Sequence, residues 1–251
     1  MTNIAVISDV HGNANSLNSC LENISSQNVD ILICLGDILT YGTQPNEVIE
    51  QLKHYQKKGK LIMIRGNHEE FYFSIDKSTT YKIPSFVKES IDWTKKNLKF
   101  TNLEKIFEWR THYTFKNIYF AHANPFRYGD WSYIETETKI AEAIKQLEKQ
   151  NFLCGVFGHS HRQYILQESN AINSSFCSNF EDLKEPLIVN VGSVGQPRGR
   201  GFCYSLVQID DHKIEIELIN FKPNVKEMIN DINLTSLSKK TKLKLIEYLK
   251  K

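Results

Sequence analysis

Short apolar runs separated by amphipathic stretches set the pattern of the first third of the chain. The sequence predicts strands at 4–9, 31–36 and 61–65, with helices at about 14–27 and 45–57 between them. Strands alternating with helices of this length are consecutive β-α-β units, which build a parallel sheet. Asn13 or Asn15 is placed to cap the first helix, and Pro45 suits the first turn of the second. From 68 to 110 the pattern is helical, with Phe86, Ile91 and Leu98 around Trp93. No catalytic motif falls there, and the stretch reads as an inserted helical cap.

The second half is richer in strands. Segments 112–116, 118–122, 154–158, 163–167, 187–191, 202–209 and 213–221 carry β-branched and aromatic residues. Two hairpins are expected, one turning at Lys116-Asn117 and one at Asp210-Asp211-His212. A helix at about 134–150 separates the strand groups, and the polar, serine-rich stretch 170–185 reads as a loop. A lysine-studded helix closes the chain at about 236–250, with Leu237, Leu243, Leu245 and Leu249 partly packed. No repeat or low-complexity linker appears, so one domain over 1–251 is expected.

Composition narrows the class. The chain has 251 residues, of which 41% are hydrophobic and 24% charged, the profile of a globular protein with a full core. The net charge of +2 gives no basic stripe, so nucleic acid is a partner that the sequence permits but does not favour. Five cysteines (Cys20, Cys34, Cys154, Cys177, Cys203) are dispersed without a C-x-x-C, which fits a reduced compartment. The N-terminus enters a strand at once, and no stretch approaches the roughly 20 apolar residues of a membrane span. The expectation is a cytoplasmic protein without a membrane partner.

The chemistry lies at the strand ends. Asp9-Val10-His11-Gly12 follows the first strand, and Gly36-Asp37 the second. Arg65-Gly66-Asn67-His68-Glu69 follows the third, Ala121-His122 the strand at 118, and Gly158-His159-Ser160-His161 the strand at 154. Taken singly, each has a plainer reading: G-D as a helix cap, Asn67-His68 as a turn, His122 as a core histidine. Two imidazoles at i and i+2 beside an apolar strand are costly to leave unpaired. The carboxyl ends of strands form the ligand-binding edge of open α/β sheets. Carboxylate, amide and imidazole groups recurring at that edge suit a divalent ion such as Mn, Fe, Zn, Ni or Co.

These ordered motifs, D-x-H, G-D, G-N-H-E, H and G-H-S-H, resemble those of the calcineurin-like metallophosphoesterase superfamily. Gly36-Asp37-Ile38-Leu39-Thr40-Tyr41-Gly42-Thr43-Gln44-Pro45 and Asn190-Val191-Gly192-Ser193-Val194-Gly195-Gln196-Pro197-Arg198 resemble its small prokaryotic phosphodiesterase-like members. The resemblance implies a four-layer α/β/β/α sandwich with two divalent ions, Mn favoured. It assigns Asp9, His11 and His161 to one ion and Asn67, His122 and His159 to the other, with Asp37 bridging. His68 matches the family's catalytic histidine, whose ring Asp9 or Glu69 could orient. Among Arg65, Arg127, Arg162 and Arg198, each also readable as a solvated surface residue, Arg198 is the expected substrate ligand.

The function so implied is hydrolysis of phosphodiesters or small phosphorylated substrates. A phosphomonoesterase or serine/threonine protein phosphatase is the alternative. Arg65-Gly66-Asn67-His68-Glu69 resembles the protein phosphatases, but Tyr41 stands where they carry an acid followed by arginine. A non-catalytic scaffold of the same fold is the alternative of another class, and the complete ligand set speaks against it.

Overall fold

The computed structural model describes residues 1–73, 83–167, 170–172 and 174–250. In chain order the strands are β1 (Thr2–Ile7), β2 (Ile31–Cys34), β3 (Leu61–Ile64), β4 (Trp109–Arg110), β5 (His112–Phe115), β6 (Ile118–Ala121) and β7 (Cys154–Phe157). They continue with β8 (Gln163–Gln167), β9 (Asn170–Ile172), β10 (Ser175–Asn179), β11 (Leu187–Val191), β12 (Cys203–Ile209) and β13 (Lys213–Asn220). The helices are α1 (Ala14–Ser25), α2 (Pro45–Lys57), α3 (Ser85–Asn97), α4 (Glu137–Lys149), α5 (Val225–Leu234) and α6 (Lys239–Leu249).

Among the described residues these strands form two sheets. One runs β10-β13-β12-β1-β2-β3-β4, the other β5-β6-β7-β11-β8-β9. The first sheet is parallel on one side and antiparallel on the other; the second has a parallel centre and antiparallel flanks. β1, β2, β3 and β4 are parallel, as are β6, β7 and β11. β12 pairs antiparallel with β1, and β8 with β11. The parallel sheet read from the β-α-β spacing is therefore correct for β1, β2 and β3, and antiparallel strands extend the sheet beyond β1.

The apolar runs are continuous because both faces of each sheet are covered. Ile4, Val6, Ile33 and Leu35 of the first sheet meet Phe120, Val156, Val189 and Val191 of the second in a core between the sheets. Ala5, Ile7, Leu32 and Cys34 point the other way, onto Leu17 and Ile24 of α1, Val48 and Leu52 of α2, and Leu245 of α6. The outer face of the second sheet, through Tyr119, Phe157 and Ile188, buries Ala143, Ile144 and Leu147 of α4. The result is the four-layer α/β/β/α sandwich.

Three stretches differ from the sequence reading. The region 68–110 holds one α-helix, α3, two short 3-10 turns at Glu69–Phe71 and Leu103–Lys105, and the edge strand β4. The part of the expected cap at 74–82 lies outside the described residues. The expected loop at 170–185 contains β9 and β10. Ser175 to Asn179 pair with β13 although β10 shows no fully buried face, so backbone pairing holds an otherwise polar edge strand. Helix α5 was not expected, yet its signal is in the chain: Asn224 caps it by accepting the Glu227 N–H at 3.3 Å, an N-x-x-E start. In α6, Leu245 and Leu249 are buried as expected, whereas Leu243 is 60% exposed. Among the described residues no helix is long and apolar enough to cross a membrane.

Candidate metal centre

Because β1, β2 and β3 run parallel in one sheet and β6, β7 and β11 in the other, the loops after all six strands can meet at one edge. The structure brings Asp9, His11, Asp37, Asn67, His68, His122, His159 and His161 together there. Apart from Asn67, whose side chain contacts His122, all are buried. Each loop turns unusually sharply. Asp9, His11, Asp37, His159 and His161 all have left-handed backbones, with φ of 54°, 48°, 54°, 65° and 59°. Such a conformation costs on the order of 1 kcal/mol or more per non-glycine residue, and it concentrates where function requires it.

Four imidazoles share one arrangement. His11 Nδ1 lies 3.0 Å from the Leu39 carbonyl, and His122 Nδ1 2.9 Å from that of Leu35. His161 Nδ1 lies 2.5 Å from the Gln196 carbonyl, and His159 Nε2 2.9 Å from that of Trp131. A carbonyl only accepts, so each of these nitrogens carries the proton and donates. The opposite nitrogen of each neutral ring then presents a lone pair inward.

Those inward nitrogens face one another. His11 Nε2 is 3.2 Å from His161 Nε2, with Asp9 Oδ1 3.1 Å from His161 Nε2 and without a hydrogen-bond donor of its own. His122 Nε2 is 3.2 Å from His159 Nδ1, 3.1 Å from Asn67 Oδ1 and 3.3 Å from Asp37 Oδ2. Asp37 Oδ2 also lies 3.9 Å from His11 Nε2, between the two groups. Acceptors converging without donors repel unless a positive charge sits among them. Imidazole and carboxylate atoms gather in three overlapping groups, Asp9-His11-His161, His11-Asp37-His68 and Asp37-His122-His159, a donor set that fits divalent cations.

The electrostatics repeat that demand. Burial lowers the pKa of His11 well below the ordinary imidazole range and that of His159 to about 3. Burial acts the same way on His122, but the Asp37 carboxylate outweighs it and raises the pKa to about 9, so that with no cation between them a proton takes its place and this ring is the exception to the neutral set. Burial pushes the Asp9 carboxyl up, but neighbouring His161 wins and holds it below the usual range. His122 and His68 do the same for Asp37.

Outer oxygens of both carboxylates are fixed by the backbone. Asp9 Oδ2 accepts the His159 N–H at 2.9 Å, and Asp37 Oδ1 accepts the His68 N–H at 2.8 Å. Glu69, fully buried, accepts the N–H groups of Gly66, Asp37 and Ile38 at 2.6, 2.8 and 2.9 Å. It ties the loop after β3 to the loop after β2. Asn13 makes no side-chain cap on α1; its amide donates to the carbonyls of His11 and Gly195 at 3.2 and 2.8 Å. The segment after β11 braces the first loop in the same way: the Ser193 hydroxyl donates to the Asp9 carbonyl at 2.8 Å.

His68 differs from those four rings in that no carbonyl holds it. Its Nε2 is 3.9 Å from Asp37 Oδ2 and 3.5 Å from the Tyr41 hydroxyl, and its Nδ1 has no hydrogen-bond partner among the described residues. Both oxygens of Glu69 are taken by backbone N–H groups, so Glu69 does not orient this ring, and the carboxylate oxygen within 4 Å of Nε2 is that of Asp37. Beside it opens a cavity of about 610 Å³ whose walls come from α3, α6 and the loop at 131–133. Arg198 lines it, with its guanidinium 5.4 Å from the Tyr248 ring centroid. The other arginines do not. Arg65 and Arg127 line a separate cavity of about 260 Å³, and Arg162 pairs with Glu135 at 2.9 Å.

The backbone carbonyls, Gln196 and the aromatic walls were not read from the sequence. Glu69 was read as a possible orienter of His68, not as the brace between the loops after β2 and β3 that its three backbone hydrogen bonds make it.

A double-sheet α/β sandwich with clustered imidazoles and carboxylates at the carboxyl edge of its parallel strands is an architecture suited to holding metal ions. Residues 2–212 match the calcineurin-like phosphoesterase superfamily domain, and the chain belongs to that superfamily, whose members use a dinuclear divalent metal centre. An uncharacterised protein of Methanocaldococcus jannaschii is 30% identical over 235 residues, 91% of each chain. A hypothetical protein from Pyrococcus horikoshii has the same fold, with a TM-score of 0.79 at 18% identity over 99% of this chain and 98% of its own. A metallophosphoesterase from Sphaerobacter thermophilus does so with a TM-score of 0.75 at 20% identity, over 97% and 98%.

Proposed function

We propose that the protein is a metal-dependent phosphoric ester hydrolase acting on phosphodiesters or small phosphorylated molecules. Asp9, His11 and His161 hold one divalent ion, Asn67, His122 and His159 the second, and Asp37 bridges them, with Mn the favoured metal. The observation that carries this reading is the set of four imidazoles, each pinned through one nitrogen by a backbone carbonyl and each offering the other to a common point. Two ions held there supply positive charge that polarises the phosphoryl oxygens and activates water.

The remaining roles fall to the chain itself. As an imidazolium, His68 would deliver its Nε2 proton to the leaving oxygen and return to the neutral ring with its remaining proton on Nδ1. It suits proton transfer because no carbonyl fixes its tautomer, unlike the four ligand rings. Tyr41, whose hydroxyl lies near Nε2, limits the swing of the ring. The forked guanidinium of Arg198, which lines the same cavity, takes phosphoryl oxygens. A walled cavity of about 610 Å³ favours small substrates over the flat surface of a folded phosphoprotein.

The test is a substrate panel with Mn-loaded protein: a bis-aryl phosphate, a mono-aryl phosphate and a phosphopeptide. Diester or small-monoester turnover is expected, together with two ions per chain by elemental analysis. His68→Ala is expected to lower turnover of an ester with a poor leaving group by about 10²–10⁴-fold at unchanged metal content. Full turnover in that variant removes His68 from proton transfer; no turnover of any ester with any divalent ion removes the hydrolase reading.

A further inference from the structure

The cavity beside His68 is far larger than a phosphoryl group needs. At about 610 Å³ it falls in the range that encloses a drug-sized organic ligand. Six phenylalanine, tyrosine and tryptophan rings line it: Tyr41, Phe71, Phe86, Trp131, Tyr133 and Tyr248. They form two walls. On one side Phe86 of α3 lies stacked 6.2 Å from Tyr41, at 21° between planes, and 6.5 Å from Tyr248 of α6. On the other, Tyr133 stacks on His159 at 4.6 Å and 15°.

Tyr133 is the telling residue. It is 44% exposed, although the imidazole beneath it is buried. One face of the phenol covers a metal-cluster histidine, while the side chain also lines the cavity. A flat group resting on Tyr133 would therefore lie one ring away from the cluster, within reach of a phosphoryl group bound there. Phe86, Val87 and Ile91 of α3 also line the cavity and offer stacking and apolar contact to such a group, while Lys88, Asp92 and Lys95 of the same helix add charged side chains to the lining.

We infer that the cavity is a subsite for a planar aromatic ring carried by the substrate, such as a nucleobase or aryl ester, with Tyr133 as its specificity-determining residue. The inference rests on reading the centre as that of a phosphoesterase, and its test separates the two.

Three non-hydrolysable probes share one head group: methylphosphonate, phenylphosphonate and cyclohexylphosphonate. Their Kd values are measured by calorimetry on the Mn-loaded full chain. Phenylphosphonate is expected to bind about tenfold more tightly than methylphosphonate, the gain that ring stacking gives at aromatic platforms. Cyclohexylphosphonate should fall between them. Tyr133→Ala should bring phenyl to the level of methyl, while Tyr133→Phe, which keeps the ring, should retain the difference. Equal Kd values for phenyl and methyl overturn the subsite, and equal values for phenyl and cyclohexyl overturn its preference for a plane. A ring preference that persists in Tyr133→Ala overturns the role of Tyr133. Hydrolysis of a bis-aryl phosphate is followed on the same samples. Turnover without a ring preference sinks the subsite alone, and a ring preference without turnover sinks the hydrolase reading alone.

Discussion

Glu69 makes no contact with the proposed ions, yet its removal should disable the centre. In Glu69→Ala three buried N–H groups, those of Gly66, Asp37 and Ile38, lose their acceptor. An unsatisfied buried donor costs about 1–3 kcal/mol, so the three together come to roughly 6 kcal/mol before relaxation. A term of opposite sign offsets part of this. Burial and the Asp37 carboxylate push the Glu69 carboxyl up to about 7 from an ordinary 4.5. Near pH 7 or above, its ionisation in the fold therefore costs roughly 3 kcal/mol, at about 1.4 kcal/mol per pK unit. The variant escapes that cost, and the net loss comes to about 3 kcal/mol.

Glu69→Gln keeps one carbonyl oxygen for two of the donors and sets an amide against the third, so its loss should be smaller, about 1–2 kcal/mol. Urea unfolding monitored by circular dichroism, without and with Mn, measures both. Mn affinity should fall about 10–100-fold in Glu69→Ala, because the loop carrying Asp37 is no longer held against the loop carrying Asn67. An alanine variant within about 0.5 kcal/mol of the native protein, with native Mn affinity, would refute the brace.

Two further outcomes follow from the packing. A Cβ at Gly66 would lie 2.2 Å from Asp37 Oδ1, so Gly66→Ala should weaken Mn binding at least about tenfold by calorimetry. Gly59→Ala, with nothing within 4 Å, should strain the backbone and leave Mn binding intact. Glu89 of α3 accepts the Ser238 hydroxyl at 2.7 Å and also the Thr241 hydroxyl, latching α6 in place. Those hydroxyls and the Ser238 N–H hold its carboxyl below the ordinary 4.5. The latch is therefore complete above pH 4.5 and lost as pH falls through the folded value. Glu89→Ala should lower Tm at neutral pH, and the difference should shrink in acid.

The clustered side chains were legible in the sequence, and their supports were hidden. Asp9, His11, Asp37, Asn67, His122, His159 and His161 stood out because titratable and amide groups at successive strand ends are rare without a purpose. The strands themselves were visible as apolar runs, since both sheet faces are covered. What orients the rings is main-chain oxygen, from Leu35, Leu39, Trp131 and Gln196, and side-chain identity does not encode it. The left-handed backbones at five ligand positions were hidden for the same reason: Asp and His carry no glycine-like signature. β10 escaped because pairing with β13, rather than an apolar face, holds it in place.

The pairing of β1 with β12 has a consequence for biosynthesis. Ala5 lies opposite Leu206, and the Ser8 and Asp9 carbonyls accept the N–H groups of Val194 and Gly195. β1 thus waits for some two hundred further residues before its second neighbour exists. Contacts this distant along the chain slow folding. Nascent fragments ending before Val194 should expose the Ile4–Ile7 edge, and chaperone capture should be strongest in that interval.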